Sequence, residues 1–229
     1  MGRATAVLLA ERGAQVLVCD KNGAGAASVA AEIGAVAQAF EVDVSDPAAC
    51  EGMVAAAVQA FGRLDVAVNN AGVAPRRILL HEMPLEEYQR VMTINCDGVF
   101  YCMRAEIPEM LESGGGAIVN TASASSVAAQ KGIAQYTTSK HAVLGLTRSA
   151  AADYADRGIR VNCVGPGFTE TGMTTVAPDQ RQAFAESLHM IPRPGRPEEI
   201  AEVICFLASE AASFCTAGWY PVDAGYTAR

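Results

Sequence analysis

The chain has 229 residues, of which 51% are hydrophobic and only 18% are charged, and its formal net charge at pH 7 is −8. This length and composition predict one domain with a sizeable core and exclude a disordered or fibrous chain. The acidic balance, without any basic stripe, argues against nucleic acid as a partner.

Apolar runs typical of buried parallel strands alternate with helical patterns along the chain. Strands are predicted at residues 15–20, 36–42, 64–68, 117–121, 159–164 and 220–222. Helices are predicted at residues 1–12, 26–33, 47–61, 84–111 and 197–207, and on a segment that carries Tyr136 and extends to residue 154. The alternation predicts an α/β fold of the Rossmann type, with a doubly wound parallel sheet in a three-layer α/β/α arrangement. A single domain is expected over residues 1–229.

Polar residues and tight turns come directly after several of the predicted strands. In doubly wound sheets, ligands bind beyond the carboxyl ends of the strands. We therefore expect a ligand site that gathers residues from these strand ends. They are Asp20, Asp43, Asn70, Ser123 and the pair Pro166-Gly167.

Tyr136 and Lys140 are four residues apart on a predicted helix, so they share one helix face. An ammonium group beside a phenol favours the phenolate and lowers the tyrosine pKa. Such a pair can exchange a proton with an alcohol oxygen. The same spacing also occurs in solvated pairs on helix surfaces. A catalytic role for the pair therefore has to be supported by other residues of the chain.

Together with the Tyr136-x-x-x-Lys140 spacing, further segments resemble those of the short-chain dehydrogenase/reductase family, and the resemblance covers essentially the whole chain. Ser123 stands thirteen residues before Tyr136, which is the usual spacing of the catalytic serine in that family. The other matching segments are Asp43-Val44, Asn69-Asn-Ala-Gly72, Asn95, Pro166-Gly-Phe-Thr-Glu-Thr171 and Pro221-Val-Asp-Ala-Gly-Tyr226.

The resemblance implies an oxidoreductase that interconverts a secondary alcohol and a ketone by hydride transfer. Tyr136 would exchange the proton with the substrate oxygen. Lys140 would lower the pKa of Tyr136 and would bind the nicotinamide ribose. Ser123 would hold the substrate carbonyl, and Asn95 would anchor a water behind Lys140. The family resemblance also implies a small-molecule substrate and a homo-oligomer, either a dimer or a tetramer.

The resemblance further implies a set of cofactor contacts. Asp20 is placed to accept hydrogen bonds from the adenosine ribose and to repel a 2′-phosphate, although the neighbouring Lys21 could soften that repulsion. We therefore expect NAD rather than NADP. The expected cofactor-binding residues are Gly2, Asp20, Asp43, Val44, Asn70, Ala71, Gly72, Tyr136, Lys140, Pro166, Gly167, Thr169 and Thr171.

Other roles stay open for some of these residues and their neighbours. Asn95 could mend a break in the hydrogen bonding of its helix, and Asn69 is expected to tie strands together. Ser125 and Ser126 are rivals for the role of Ser123, at a less suitable distance from the tyrosine. Structural, surface or packing roles are expected for the histidines at positions 81, 141 and 189.

The N-terminal part departs from the family pattern. The first strand and most of the glycine-rich phosphate loop are missing, and only Gly2 matches the end of that loop. That strand belongs at the centre of the sheet, so two neighbours would be left with unpaired backbone groups. Three explanations stay open: a start that lies further upstream, a truncated form that binds cofactor weakly, or another segment that fills the gap.

This departure leaves a second function open, that of a non-catalytic nucleotide-binding or interaction protein. Another Rossmann-type enzyme, such as a methyltransferase, is disfavoured because it would not need Ser123, Tyr136 and Lys140.

Residues 172–195 are expected to be irregular or helical and to cover the substrate without revealing its identity. The residues of this segment that predict an apolar lid are Met173, Val176, Phe184, Leu188 and Met190.

Two helices have apolar faces, at 96–111 and 142–152. These faces could pair in an oligomer or belong to the core.

The cysteines and histidines show no spacing typical of a metal site. We expect reduced cysteines and no metal.

No apolar run reaches the length of a membrane span and no signal-peptide pattern is visible. A cytoplasmic protein without membrane contact is expected.

Overall fold

The computed structural model describes residues 1–174 and 176–228. Strands and helices alternate along these residues in the predicted order. The strands are β1 (Val16–Asp20), β2 (Ala37–Glu41), β3 (Val66–Asn69), β4 (Gly116–Thr121), β5 (Ile159–Pro166) and β6 (Trp219–Val222). The helices are α1 (Gly2–Glu11), α2 (Gly23–Ile33), α3 (Pro47–Phe61), α4 (Leu85–Met92), α5 (Gly98–Glu112), α6 (Ala134–Tyr154), α7 (Arg181–Leu188) and α8 (Pro197–Ala208).

All pairs of these strands are parallel, which confirms the predicted kind of sheet. β1 pairs with β2, whereas β3, β4, β5 and β6 form a second sheet in that order. Among the described strands, β1 and β3 are not paired with each other. The division of the sheet lies where the sequence analysis expects a central strand to be missing.

Helices cover both faces of the strands. Ile118 of β4 packs with Met110 of α5 and Val143 of α6 in one core. The next residue, Val119, packs with Ile204 of α8 in a second core on the other face. Successive side chains of a strand point to opposite faces, so one strand contributes to both cores. The predicted three-layer α/β/α arrangement is confirmed.

The apolar faces of α5 and α6 belong largely to the core, so the core alternative holds for most of their residues. An aromatic residue on α5, Phe100, is instead 46% exposed. The buried residues of the two helices include Cys102, Met103, Ile107, Met110, Val143, Leu144, Ala150 and Ala151.

Two helix boundaries differ from the sequence prediction. α2 begins at Gly23 because the side chain of Asn22 accepts a hydrogen bond from the Gly25 N–H at 3.1 Å and caps the helix. The long helical stretch predicted at 84–111 is divided into α4 and α5 by a π-helical turn at Thr93–Asp97. Such turns place one extra residue in a helix and are frequent at functional sites.

A buried polar network ties the end of β3 to its neighbours. Asn69 Nδ2 donates to Asn120 Oδ1 at 3.0 Å and to Glu106 Oε2 at 3.2 Å. Asn120 Nδ2 in turn donates to Thr147 Oγ1 at 3.0 Å. Asn69 therefore links strands, as expected, and the network extends to α5 and α6. Burial raises the pKa of Glu106 to about 7.

Within residues 1–174 and 176–228, no helix combines the length and the apolar character needed to cross a membrane. The same residues hold no group of three or more His, Cys, Asp or Glu arranged to bind a metal ion. The seven cysteines are free thiols.

Replacing Glu106 with Gln is expected to stabilise the fold at alkaline pH. The folded-state pKa of about 7 exceeds the ordinary value of 4.5, so the stability contributed by the protonated carboxyl is lost as the pH rises through this window. Glutamine stays neutral and still accepts from Asn69. Urea denaturation at about pH 8.5 should show a gain of up to roughly 3 kcal/mol for the variant, and a smaller gain at about pH 5.

The control for this prediction is Glu112→Gln, which changes an exposed carboxylate on the same helix. Its free energy of unfolding should follow that of the wild type at both pH values. A gain for Glu106→Gln that is equal at acid and alkaline pH would contradict the assigned direction of the Glu106 pKa.

Candidate active site

A cavity of about 690 Å³ lies beyond the carboxyl ends of β3, β4 and β5. This is the ligand position expected for a parallel α/β sheet. The structure brings together nine of the site residues predicted from the sequence. Those that line the cavity are Asn70, Gly72, Ser123, Tyr136, Lys140, Pro166, Gly167, Thr169 and Thr171.

The predicted adenosine contacts lie outside this cavity wall. Asp20 and Asp43 are exposed residues that end β1 and follow β2. Val44 lies against Gly98 at the start of α5. Gly2 begins α1 next to the Asn70 side chain, and Ala71 is exposed.

Lys140 is buried, and its ammonium is fixed by the end of β4. Nζ donates a hydrogen bond of 2.7 Å to the carbonyl oxygen of Thr121, the last residue of that strand. It also lies 5.8 Å from the centre of the Tyr136 ring. Burial lowers the pKa of Lys140 to about 8, so a substantial neutral fraction exists at mildly alkaline pH.

Tyr136 is hydrogen-bonded to the side chain of Ser123, which favours the phenolate and lowers the tyrosine pKa. Burial has the larger and opposite effect, so the pKa of Tyr136 lies above its ordinary value of 10.0. From the sequence, Lys140 is expected to lower the pKa of Tyr136. In the structure the Lys140 ammonium donates its hydrogen bond to Thr121 instead, and burial raises the pKa of Tyr136.

Ser123 is held by the short turn that follows β4. Its Oγ accepts a hydrogen bond from the Ser125 N–H at 3.0 Å. The hydroxyl of Ser126 accepts from the Ser123 N–H at 3.3 Å and donates to the Lys140 carbonyl at 2.7 Å. Ser126, which the sequence suggested only as a rival for Ser123, therefore fastens Ser123 to α6.

Asn95 lies in the middle of the π-helical turn and is fully buried behind the cavity wall. Its Oδ1 accepts from the Val73 N–H at 2.7 Å, and its Nδ2 donates to the Val73 carbonyl at 3.1 Å. The side-chain amide therefore holds the loop after β3 and does not mend the hydrogen bonding of its own helix. Gly72 allows this approach, because a Cβ there would lie 3.1 Å from Asn95 Oδ1 and 3.9 Å from Lys140 Nζ.

The predicted lid contributes one wall of the cavity. Phe184 of α7 packs edge-on against Phe168, with ring centres 4.9 Å apart. Met190 is exposed and is not among the residues that line the cavity, in contrast to the prediction, and Thr175 lies outside the described residues. The lid residues that do line it include Met173, Val176, Phe184 and Leu188.

His189 also lines the cavity, and it is buried rather than a surface residue. The sequence offered no signal for this position, since a single histidine in an irregular segment has no characteristic spacing. Thr121 was likewise missed, because it acts through its backbone carbonyl, which carries no residue-type signature.

The cavity residues fit the nicotinamide half of a dinucleotide. Asn70 Oδ1 and Thr121 Oγ1 are buried, line the cavity and have no hydrogen-bond partner among the described residues. Buried polar atoms normally have partners, so both atoms can serve hydroxyl or amide groups of a ligand. At Gly167 a Cβ would lie 2.8 Å from Asp223 Cα, so glycine is needed there for the turn after β5 to pack against Asp223.

Comparisons with known proteins agree with this geometry. Residues 1–227 match a family model described as enoyl-(acyl carrier protein) reductase. The chain is 41% identical over 232 residues to the cyclohexanol dehydrogenase of Acinetobacter sp. (strain SE19), covering 100% of this chain and 91% of that protein.

Two solved structures superpose on the chain with a TM-score of 0.93 each. One is a 3-ketoacyl-(acyl-carrier-protein) reductase from Brucella melitensis complexed with NADH, which is 33% identical and covers 98% of this chain and 92% of its own. The other is ElxO with NADP bound, which is 28% identical and covers 99% of this chain and 94% of its own. The chain belongs to the short-chain dehydrogenase/reductase family, a family of oxidoreductases that act on CH–OH groups.

Replacing Ser126 with Ala is expected to lower the free energy of unfolding by about 1–2 kcal/mol, because it removes the hydrogen bonds to Ser123 and Lys140. Thermal or urea denaturation measures the change. Ser125→Ala is the matched control, since that hydroxyl has no hydrogen-bond partner among the described residues. Equal losses of stability in the two variants would contradict the fastening role of Ser126.

Proposed function

We propose that the protein is an NAD(H)-dependent dehydrogenase/reductase that interconverts a secondary alcohol and a ketone. The observation that carries the proposal is the convergence of Ser123, Tyr136 and Lys140 on one cavity beyond the strand ends. Ser123 is held by the Ser125 N–H and Lys140 by the Thr121 carbonyl, and the Tyr136 hydroxyl pairs with Ser123 itself.

The substrate oxygen would lie between the hydroxyls of Ser123 and Tyr136. In ketone reduction Tyr136 would donate its proton to the carbonyl oxygen, and its raised pKa keeps that proton available at neutral pH. Ser123 can donate a hydrogen bond to the same oxygen and stabilise the charge that develops there. The nicotinamide ring, when bound, supplies or accepts the hydride.

In the oxidation direction Tyr136 would accept the alcohol proton. A phenolate at this buried position needs a nearby positive charge, and the Lys140 ammonium is the cation placed over the tyrosine ring. Lys140 would also bind the nicotinamide ribose. Asn95 would act as a positioning residue through the Gly72-Val73 backbone, since its amide is already engaged there.

The preference for NAD over NADP rests on Asp20. Its Oδ1 accepts from the Asn22 N–H at 2.9 Å, and its other carboxylate oxygen has no hydrogen-bond partner among the described residues. That oxygen is available to a ribose hydroxyl and would repel a 2′-phosphate. Asp43, whose carboxylate bonds both the backbone and the hydroxyl of Ser45, would position Val44 against the adenine.

The remaining cofactor contacts are proposed along the cavity wall. The turn after β5 would hold the nicotinamide carboxamide, with Thr169 acting through its backbone. The proposed set there is Asn70, Ala71, Gly72, Pro166, Gly167, Thr169 and Thr171, with Gly2 near the phosphates.

An apolar ring bearing the secondary alcohol is the substrate class that suits the cavity best. Phe168 and the lid residues present hydrocarbon surface to it, and apolar surface favours apolar ligands. The cyclohexanol dehydrogenase relative supports the same class. Cyclohexanol and cyclohexanone are therefore the first substrates to test.

A cytoplasmic location and a homo-oligomer, a dimer or a tetramer, remain part of the proposal. Leu85 and Phe100 are 81% and 46% exposed and would suit a subunit contact. The second candidate function is a non-catalytic nucleotide-binding or interaction protein, which would use the same cavity without turnover.

Replacing Tyr136 with Phe is expected to lower kcat with cyclohexanol and NAD by about 10²–10⁴-fold, because the proton acceptor is lost. The absorbance of the reduced cofactor measures the rate. Tyr88→Phe, on the exposed side of α4, should retain wild-type activity. Absence of turnover in the wild type, with cofactor bound, would favour the non-catalytic alternative.

Replacing Asp20 with Asn is expected to reduce the preference for NAD over NADP by at least about tenfold, since a charged acceptor and a repulsive charge are both removed. The ratio of kcat/KM values for the two cofactors measures the preference. Asp153→Asn, an exposed change on α6, serves as the control. An unchanged ratio for Asp20→Asn would contradict the assigned contact.

A further inference from the structure

We propose that His189 is a positioning residue that couples the substrate lid to the nicotinamide side of the site. Its imidazole would keep the turn Gly167-Phe168-Thr169, hereafter the carboxamide turn, in a fixed position relative to the lid. The inference rests on the proposed function, which places the nicotinamide carboxamide against this turn.

The two ring nitrogens of His189 have different backbone partners. Nε2 lies 3.1 Å from the Phe168 nitrogen, and Nδ1 lies 2.8 Å from the Arg193 carbonyl oxygen. An N–H can only donate and a carbonyl can only accept, so the partners assign the proton to Nδ1 and leave Nε2 as an acceptor. His189 is only 4% exposed, which keeps water from replacing either partner. The ring therefore links the Phe168 N–H to the Arg193 carbonyl.

Phe168 is held by the lid through three of its groups. Its N–H donates to His189, its carbonyl accepts from the Gly195 N–H at 2.9 Å, and its ring packs against Phe184. These three partners span the lid from α7 to its end. A movement of the lid must therefore move Phe168 or break one of these contacts.

The carboxamide turn is shaped for this contact. A Cβ at Gly167 would lie 2.9 Å from His189 Nε2, so glycine permits the ring to approach. On its other side Gly167 donates its N–H to the Val222 carbonyl of β6 at 3.0 Å. The turn is thus held between the sheet and His189, and Thr169 is its last residue.

The link has a kinetic consequence. Substrate that orders the lid would also order the carboxamide turn, and so align the nicotinamide with the carbinol carbon. Small errors in this alignment slow hydride transfer strongly. Loss of the His189 link should therefore lower kcat, while NAD binding, which relies mainly on the adenosine half, changes little.

The test compares His189→Gln with His189→Leu. The glutamine oxygen can reach the position of Nε2 and accept from Phe168, whereas leucine fills similar space without an acceptor. His189→Asn provides a second variant, since its shorter side chain keeps a donor for Arg193 but no acceptor at Nε2. His141→Leu, on the exposed face of α6, is the matched control.

The first readout is hydrogen–deuterium exchange of peptides spanning residues 166–172, which needs no activity. Exchange of the Phe168 amide should be at least about tenfold faster in the leucine and asparagine variants and near wild type in the glutamine variant. The second readout is kinetics with cyclohexanol, where kcat should fall at least about tenfold in the same two variants, with the KM for NAD altered less than about threefold.

The proposal is overturned if the exchange of Phe168 is unchanged without the acceptor, or if it accelerates while kcat stays at the wild-type value. It is also overturned if the glutamine variant loses as much activity as the leucine variant. A wild type that binds cofactor but turns over no alcohol refutes the proposed function instead, and the exchange result still decides whether His189 holds the turn.

Discussion

The hydrogen bond between the buried Lys140 ammonium and the Thr121 carbonyl is the contact on which the site depends. A buried cation is strongly unfavourable unless a polar partner satisfies it, and at 2.7 Å the last carbonyl of β4 does so. The strand end thereby determines where the cavity-facing side of α6 lies. Ser126 accepts from the Ser123 N–H and donates to the Lys140 carbonyl, so Ser123 and α6 are both placed relative to β4.

The sequence predicted the fold, and also several residues that line the cavity, because both follow from simple rules. Apolar strands alternating with helices define a parallel sheet, and the ends of parallel strands meet at one edge. Asn70, Ser123 and Gly167, which that reasoning expected at one edge of the sheet, line one cavity. The π-helical turn around Asn95 was not predicted, because it depends on a side chain that bonds Val73, which is distant in sequence.

The parts that could not be predicted share one physical cause. Ser126 and His189 bond backbone groups that are distant in the sequence, and Thr121 accepts from the distant Lys140 side chain with its own backbone carbonyl. No residue spacing reveals such partners. The direction of the Tyr136 pKa was missed for a related reason. It depends on how deeply the phenol is enclosed, and only the packed structure shows that burial outweighs the hydrogen bond from Ser123.

The two ends of the proposed cofactor site are positioned by different strands. Asp20 belongs to the two-stranded sheet, whereas Ser123 and Lys140 are placed by the four-stranded one. No strand pairing joins these two sheets among the described residues. A dinucleotide held by Asp20 at one end and by the cavity at the other would bridge them. In the proposed binding mode the cofactor would therefore contact residues of both sheets at once, with its adenosine end at β1 and its reactive end at β4 and α6.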